Sequence, residues 1–190
     1  NECLKEFHEQ GGSGDVIRDA LTKVPLDSHM IQHYKIRHLF SAVITNPGFW
    51  DENDRLHVQR LIPADAPPHN CPTRLCSLNI CKGQEVDKLL ENLVRRDSLQ
   101  TGDAIEARTT TKMIYVGDGQ NDYCPALRMQ SSQDIFFVRR GRSLEKYLTK
   151  EGQDSAVRGA IKARTVFWER AGDILKELQA VPDFVGQSWK

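Results

Sequence analysis

The chain has 190 residues, 39% hydrophobic and 27% charged, and its 26 Lys+Arg balance 26 Asp+Glu to a formal net charge of zero. That is ordinary globular composition, with enough chain for one substantial core. It shows none of the basic surplus that gives an electrostatic grip on nucleic acid, although a zero total leaves local patches open, and no apolar run reaches the roughly 18 residues of a membrane-spanning helix.

Residues 1–10 predict a short helix, broken by Gly11-Gly12-Ser13-Gly14. Val16, Ile17, Ala20 and Leu21 then recur at helical spacing up to Pro25, and a second amphipathic piece covers residues 30–40, with Ile31, Tyr34, His38 and Leu39 on one side. Ala42-Val43-Ile44-Thr45 is a β-rich apolar run and predicts a buried strand, stopped by Asn46-Pro47-Gly48. A turn after Trp50 leads to a short strand at residues 56–59. Pro63, Pro67, Pro68 and Pro72 mark a loop or excursion.

Residues 84–94 predict a clean helix, with Val86, Leu89, Leu90 and Leu93 on one face. The polar stretch 95–111 predicts a loop. Residues 112–116 predict a strand, 125–129 a short helix, and 134–139 another strand around Ile135-Phe136-Phe137-Val138. Ser143 is placed to cap a helix containing Leu144, Tyr147 and Leu148. One long helix is expected over 155–179, with Val157, Ile161, Phe167, Trp168, Ile174, Leu175 and Leu178 as its apolar side. Strands alternating with helices imply an α/β fold with a mostly parallel sheet.

Chemistry concentrates in Val116-Gly117-Asp118-Gly119-Gln120-Asn121-Asp122-Tyr123, where an apolar run ends in a glycine-flanked acidic loop. In open α/β sheets, functional groups gather beyond the carboxyl ends of strands. Carboxylates at this spacing suit Mg2+, a hard ion that binds phosphate and keeps several waters. Asp118 is the nearer ligand; Asp122 is a second metal-site residue that holds a metal-bound water or orients a lysine, and Asn121 positions the loop. Gly117 and Gly119 permit a tight path. The plain alternative is a turn, because Asp-Gly and Asn-Asp are common turn formers.

Lys82 precedes Gly83 at the start of a predicted helix, where a lysine can neutralise a phosphate or a developing negative charge. The alternative is a solvated lysine in a helix-entry turn. His69, Cys71, Cys76 and Cys81 invite a zinc reading, but cysteines five apart do not match the tighter loops of structural zinc modules, so packed thiols are expected. Cys124 reads as a small buried filler. Five cysteines, an odd number, fit a reducing compartment better than a disulfide framework, and with no visible leader segment the expected location is cytoplasmic.

Several stretches together resemble one known family. The segment Gly117-Asp118-Gly119-Gln120-Asn121-Asp122-Tyr123-Cys124-Pro125 resembles the last acidic motif of haloacid-dehalogenase-like phosphatases. Its continuation resembles the branch of phosphocholine/phosphoethanolamine and pyridoxal-phosphate phosphatases. So do Ile36-Arg37-His38-Leu39-Phe40-Ser41, Thr45-Asn46-Pro47 and Asn79-Ile80-Cys81-Lys82-Gly83. The resemblance implies a Rossmann-like core with a small helical cap: residues 1–30 as a cap-related helical segment, 31–150 as core, and 151–190 as a C-terminal helix and tail of a single domain. It makes Lys82 the phosphate-binding lysine and implies Mg2+ as cofactor. The expected partner is a small phosphorylated metabolite, with no nucleic acid and no membrane.

In that family an aspartate attacks phosphorus and a second, two residues later, protonates the leaving alcohol. Here no Asp-x-Asp-x-Thr follows a hydrophobic strand near Asn1, and Asp27-Ser28 matches the family's serine motif poorly. The expectation is a chain that lacks the N-terminal strand, carries an internal deletion, exposes unpaired strand edges, and has little or no phosphatase activity by itself. A catalytically inactive, phosphatase-like binding or regulatory module is the alternative.

Overall fold

The computed structural model describes residues 2–23, 40–69, 71–101, 112–150 and 154–181. The chain divides into two compact units, Asn1–Ala66 and Pro67–Lys190.

The first unit contains helices α1 (Glu2–Glu9) and α2 (Gly14–Lys23) and an antiparallel hairpin of β1 (Gly48–Trp50) and β2 (Leu56–Val58). Asp51 shapes the hairpin turn: its Oδ1 accepts the N–H groups of Asn53 and Arg55, each at 2.9 Å, and Asp54 takes the left-handed conformation at φ 58°. His8 ties α1 to the hairpin. Its Nδ1–H donates to the carbonyl of Gly12 at 3.0 Å, while Nε2 accepts the N–H of Leu56 at 3.2 Å, so one neutral tautomer serves both contacts. Arg18 stacks over the Trp50 ring at 4.1 Å and pairs with Asp54. No apolar side chain described in this unit is fully buried.

The strand expected at residues 42–45 is not formed; the segment has no regular structure, and Val43 and Ile44 are exposed. β-branched residues favour strands through cross-strand packing, and among the described residues no ladder forms at 42–45 to supply it. The amphipathic piece expected from residue 30 lies, up to residue 39, outside the described residues.

The second unit is α/β, a small parallel sheet flanked by helices. Its elements are α3 (Lys82–Thr101), β3 (Ile114–Gly117), a 3-10 turn (Gln120–Asp122), α4 (Tyr123–Ala126), β4 (Ile135–Arg139), α5 (Ser143–Leu148), α6 (Asp154–Gly159), β5 (Arg164–Trp168) and α7 (Ala171–Gln179). The strands lie in the order β3-β4-β5, all parallel, with Val116 opposite Phe137 and Phe137 opposite Val166. Central β4 is buried from Ile135 through Val138, on both faces, which is why it reads as an unbroken apolar run. Phe136 and Val138 pack with Tyr123, Ala126, Met129, Leu144, Leu148 and Ile161 in the main core. Among the described residues β3 pairs on one side only, and its Val116 is 48% exposed.

Buried Asp134 fastens the strand beginnings. Its Oδ1 accepts the N–H of Met113 at 2.9 Å, its Oδ2 that of Ser131 at 3.1 Å, and its carbonyl that of Arg164 at 2.9 Å. Such a carboxylate is tolerated inside because donors meet both oxygens.

Two expectations are corrected here. The single long helix over 155–179 is instead α6, β5 and α7. Arg164-Thr165-Val166-Phe167-Trp168 is β-branched and aromatic, and pairing with β4 overrides a helical reading built on apolar spacing alone. The loop expected from residue 95 begins late, because α3 runs on to Thr101. No Gly or Pro interrupts residues 84–101, so the polar stretch from residue 95 propagates the helix beyond the apolar stripe of residues 86–93.

Candidate functional site

The acidic loop leaves the carboxyl end of β3, where an α/β sheet presents its chemistry. Gly117 closes the strand, Asp118 and Gly119 lead into the 3-10 turn, and the chain doubles back over its own end. Asp122 is thereby carried inward, to 2% exposure, while Asp118 stays exposed.

Asp122 organises everything around it. Its Oδ1 accepts Lys82 Nζ at 2.6 Å and the Tyr115 hydroxyl at 2.8 Å. Its Oδ2 accepts the backbone N–H groups of Asp118 and Gly119, each at 2.9 Å. Four donors on two oxygens use about the full acceptor capacity of a carboxylate. Gly117 makes room, since a Cβ there would lie 2.6 Å from that of Asp122. At Gly119 an added Cβ would meet Asn121 Oδ1 at 2.6 Å. Burial, with the Asp122 carboxylate beside it, pushes the Tyr115 phenol well above its ordinary pKa and keeps it a donor.

Lys82 is the first residue of α3, and its side chain remains 40% exposed. One side of its ammonium is fixed by Asp122, and part of the remainder faces solvent. Helix α5 pins the loop from the far side: the Gln120 N–H donates to Ser143 Oγ at 3.1 Å, and the Leu144 N–H to the Asp118 carbonyl at 3.1 Å. Ser143 therefore does not cap its own helix, whose N-cap is Arg142; its hydroxyl holds the acidic loop.

The structure thus brings together Lys82, Asp122 and the backbone of Asp118 and Gly119, with Asp118 at the rim. Sequence reading missed Tyr115 and Ser143. Tyr115 lies on the predicted strand two residues before the loop, and its alternation onto the face of Gly117 was the available signal.

A cluster of thiols lies beside this arrangement. The Sγ atoms of Cys71, Cys76, Cys81 and Cys124 all lie within 4.8 Å of one another. Cys124 Sγ is 3.4 Å from that of Cys71 and 3.8 Å from that of Cys81. Burial pushes Cys124 up to about 11, the Cys71 thiol adding to it and the Arg128 guanidinium opposing it. Burial also acts upward on Cys71, but hydrogen bonds from Thr73 and Cys124 outweigh it and bring that thiol down to about 6. The thiols are packed, as expected, and Cys124 is buried among them; His69, which the zinc alternative included, lies outside the group, its Nε2–H donating to the Ser77 carbonyl.

The donor set at the rim suits a hard cation. Mg2+ is held by one or two carboxylates together with phosphate oxygens and water, and Asp118 offers an exposed carboxylate on the loop whose Asp122 holds Lys82. No described helix is long and apolar enough to cross a membrane.

The chain matches the family model described as "Putative Phosphatase" over residues 29–182. Inorganic pyrophosphatase 1 of Arabidopsis thaliana is 27% identical over 168 positions, covering 74% of this chain and 52% of that protein. A thiamine phosphate phosphatase-like protein of Arabidopsis thaliana is 30% identical over 158 positions, covering 68% of this chain and 59% of its own length. Pyridoxal phosphate phosphatase PHOSPHO2 of Mus musculus is 25% identical over 210 aligned positions, covering 93% of this chain and 77% of that protein. The chain spans about half the length of most of the curated relatives it matches. No solved structure matches it. An acidic loop folded around a lysine at the end of a parallel strand agrees with a family match over most of the sequence, and the chain belongs to this phosphatase family, within the haloacid-dehalogenase-like superfamily.

Proposed function

We propose that these 190 residues carry the cation- and phosphate-holding part of a Mg2+-dependent hydrolase of small phosphomonoesters, and that by themselves they bind phosphate without turning it over. The observation that carries the reading is the Lys82–Asp122 pair, 2.6 Å apart, on the loop that exposes Asp118. In this reading Lys82 directs its ammonium at a phosphoryl oxygen. Asp122 orients Lys82 and the loop and, with Asp118, would hold the cation, while Asn121, Gly117 and Gly119 keep the loop tight. A divalent cation held at Asp118 would supply Lewis-acid charge to offset negative charge on the phosphoryl group.

The names of the relatives support phosphorylated small molecules as the substrate class. The stretches around Lys82 and Cys124-Pro125 favour the branch that acts on phosphoethanolamine, phosphocholine or pyridoxal 5′-phosphate. Residues 1–30 are, in the same reading, what corresponds to the helical cap. What supports the lack of turnover is that no Asp-x-Asp occurs in the 190 residues, the pair that supplies nucleophile and acid in the family these residues resemble. This favours a phosphate-binding, phosphatase-like module for the chain alone, as the partner of whatever supplies that pair.

The test is direct. Purified chain with Mg2+ is given pyridoxal 5′-phosphate, phosphoethanolamine and phosphocholine, and phosphate release is followed. Release at the blank rate is expected, together with Mg2+-dependent binding of inorganic phosphate that falls about tenfold or more in Lys82→Ala. Turnover abolished by Asp118→Ala would overturn the inactive reading. Phosphate binding indifferent to both Mg2+ and Lys82 would overturn the site.

A further inference from the structure

We propose that Cys71, Cys76, Cys81 and Cys124 bind one structural Zn2+ as a tetrahedral tetrathiolate, clamping together the segments that carry Lys82 and Asp122. Four sulfurs converge on one point from three parts of the chain: the proline-rich stretch, the entry to α3, and the start of α4. With Zn–S bonds of about 2.3 Å, a tetrahedron of thiolates has edges of about 3.8 Å. The two contacts from Cys124 are 3.4 and 3.8 Å, and no pair in the cluster exceeds 4.8 Å. A disulfide would need sulfurs at about 2.0 Å.

Packing alone does not explain the cluster. Buried thiols usually act as small hydrophobes among aliphatic neighbours. Here Cys71, Cys81 and Cys124 are buried against one another, with Cys76 at their edge, as a group separate from the main core. Soft thiolates in this number select Zn2+ over the hard cation suited to the acidic loop.

The surroundings fit the charge. Zn2+ with four thiolates carries a net charge of −2. Arg128 lies 3.4 Å from Cys124 Sγ through Nη1, and is itself held by the Cys124 carbonyl at 3.0 Å and by Asp87 at 3.2 Å. The Thr73 hydroxyl lies 3.1 Å from Cys71 Sγ. Cys81 stands immediately before the 20-residue helix α3, so its sulfur sits at the positive end of that helix. Gly83 lets the first turn close down: a Cβ there would meet Cys124 Sγ at 2.6 Å and Arg128 Cζ at 2.8 Å. Outer contacts of this kind position ligands and tune affinity.

The consequence reaches the neighbouring site through the chain. Cys81 is bonded to Lys82, and Cys124 is two residues beyond Asp122. Cys76 Sγ also approaches the Asn121 carbonyl at 3.9 Å. Zinc would hold a proline-rich stretch with little core of its own, and would set the spacing on which the Lys82–Asp122 contact depends.

The inference stands apart from the phosphatase reading, because it is read by metal content and not by turnover. The full chain, purified under reducing conditions without chelator, is expected to hold about one zinc per chain. The four cluster thiols should be protected and Cys3, which is exposed, should react. Cys124→Ser should lose the zinc, Cys3→Ser should keep it, and Arg128→Ala should weaken retention about tenfold or more. If the cysteine variants fail to fold, the wild-type chain still decides: cobalt exchanged into it should give the charge-transfer spectrum of a tetrahedral tetrathiolate, and X-ray absorption should count four sulfurs. Zinc-free protein with all five thiols equally reactive, a Cys71–Cys124 disulfide, iron in place of zinc, or full zinc retention in Cys124→Ser would each overturn it.

Discussion

Asp118 and Asp122 are the same residue type on one short loop, and their surroundings give them different work. Asp122 is buried and meets four donors; Asp118 is exposed and contributes its backbone to that network. Asp122→Asn would keep the shape but turn an amide NH2 towards groups that are themselves donors, whichever way the amide is flipped. A buried donor facing a donor is left unsatisfied, so the expected loss is about 2–4 kcal/mol of unfolding free energy. Asp118→Asn should change stability by less than about 0.5 kcal/mol, as an exposed substitution, while weakening Mg2+ binding. Urea unfolding and titration calorimetry on the two variants check this. Equal shifts in the unfolding midpoint, or unaltered Mg2+ binding in Asp118→Asn, would refute the division.

At the scale of elements, the site depends on how closely a strand end and a turn can approach. A Cβ at Gly117 would sit 2.6 Å from the Asp122 Cβ and 2.9 Å from its Cγ, atoms that cannot swing away. Gly117→Ala should therefore push β3 and the turn apart and cost about 1–3 kcal/mol. Gly172 is the control: it lies in α7 with nothing within 4 Å of its added Cβ, so Gly172→Ala should stabilise by about 0.5–1 kcal/mol. Thermal unfolding of both variants reads the contrast, and a Gly117→Ala variant as stable as wild type would count against the packed turn. The same elements show what the sequence discloses. Strands β3 and β4 and the acidic loop were legible because each is a local pattern: an apolar run ending in glycine and acid for β3 and its loop, and an unbroken apolar run closed by Arg139-Arg140-Gly141 for β4. Strand β5 was not, since Val166, Phe167 and Trp168 fit a helical face as well as a strand until β4 lies beside them. The contacts of Ser143 with Gln120 and of Cys124 with Cys71 join residues 23 and 53 positions apart, which no local spacing reveals.

At the scale of the whole molecule, apolar burial is unevenly shared. Among the described residues every buried hydrophobic side chain lies between Cys71 and Ala163, and none belongs to the unit Asn1–Ala66. Burial of apolar surface is the main favourable term in folding, so the two units should open at different free energies, the first far more readily. Within the second, β4 has both neighbours paired and both faces covered, while the segment 40–46 has, among the described residues, neither a strand partner nor a buried apolar side chain. Native-state hydrogen exchange follows these local openings, from near zero in exposed segments up to the global value in core strands. The amides of 135–139 should therefore exchange last, at rates set by global unfolding, and those of 40–60 should exchange orders of magnitude faster, with the short ladder between β1 and β2 slowing only a few of them. Exchange followed by mass spectrometry of proteolytic peptides resolves both regions in one experiment. Protection over 40–60 equal to that of β4 would mean that the first unit is held by burial its own residues do not provide, and the unequal division of stability would be wrong.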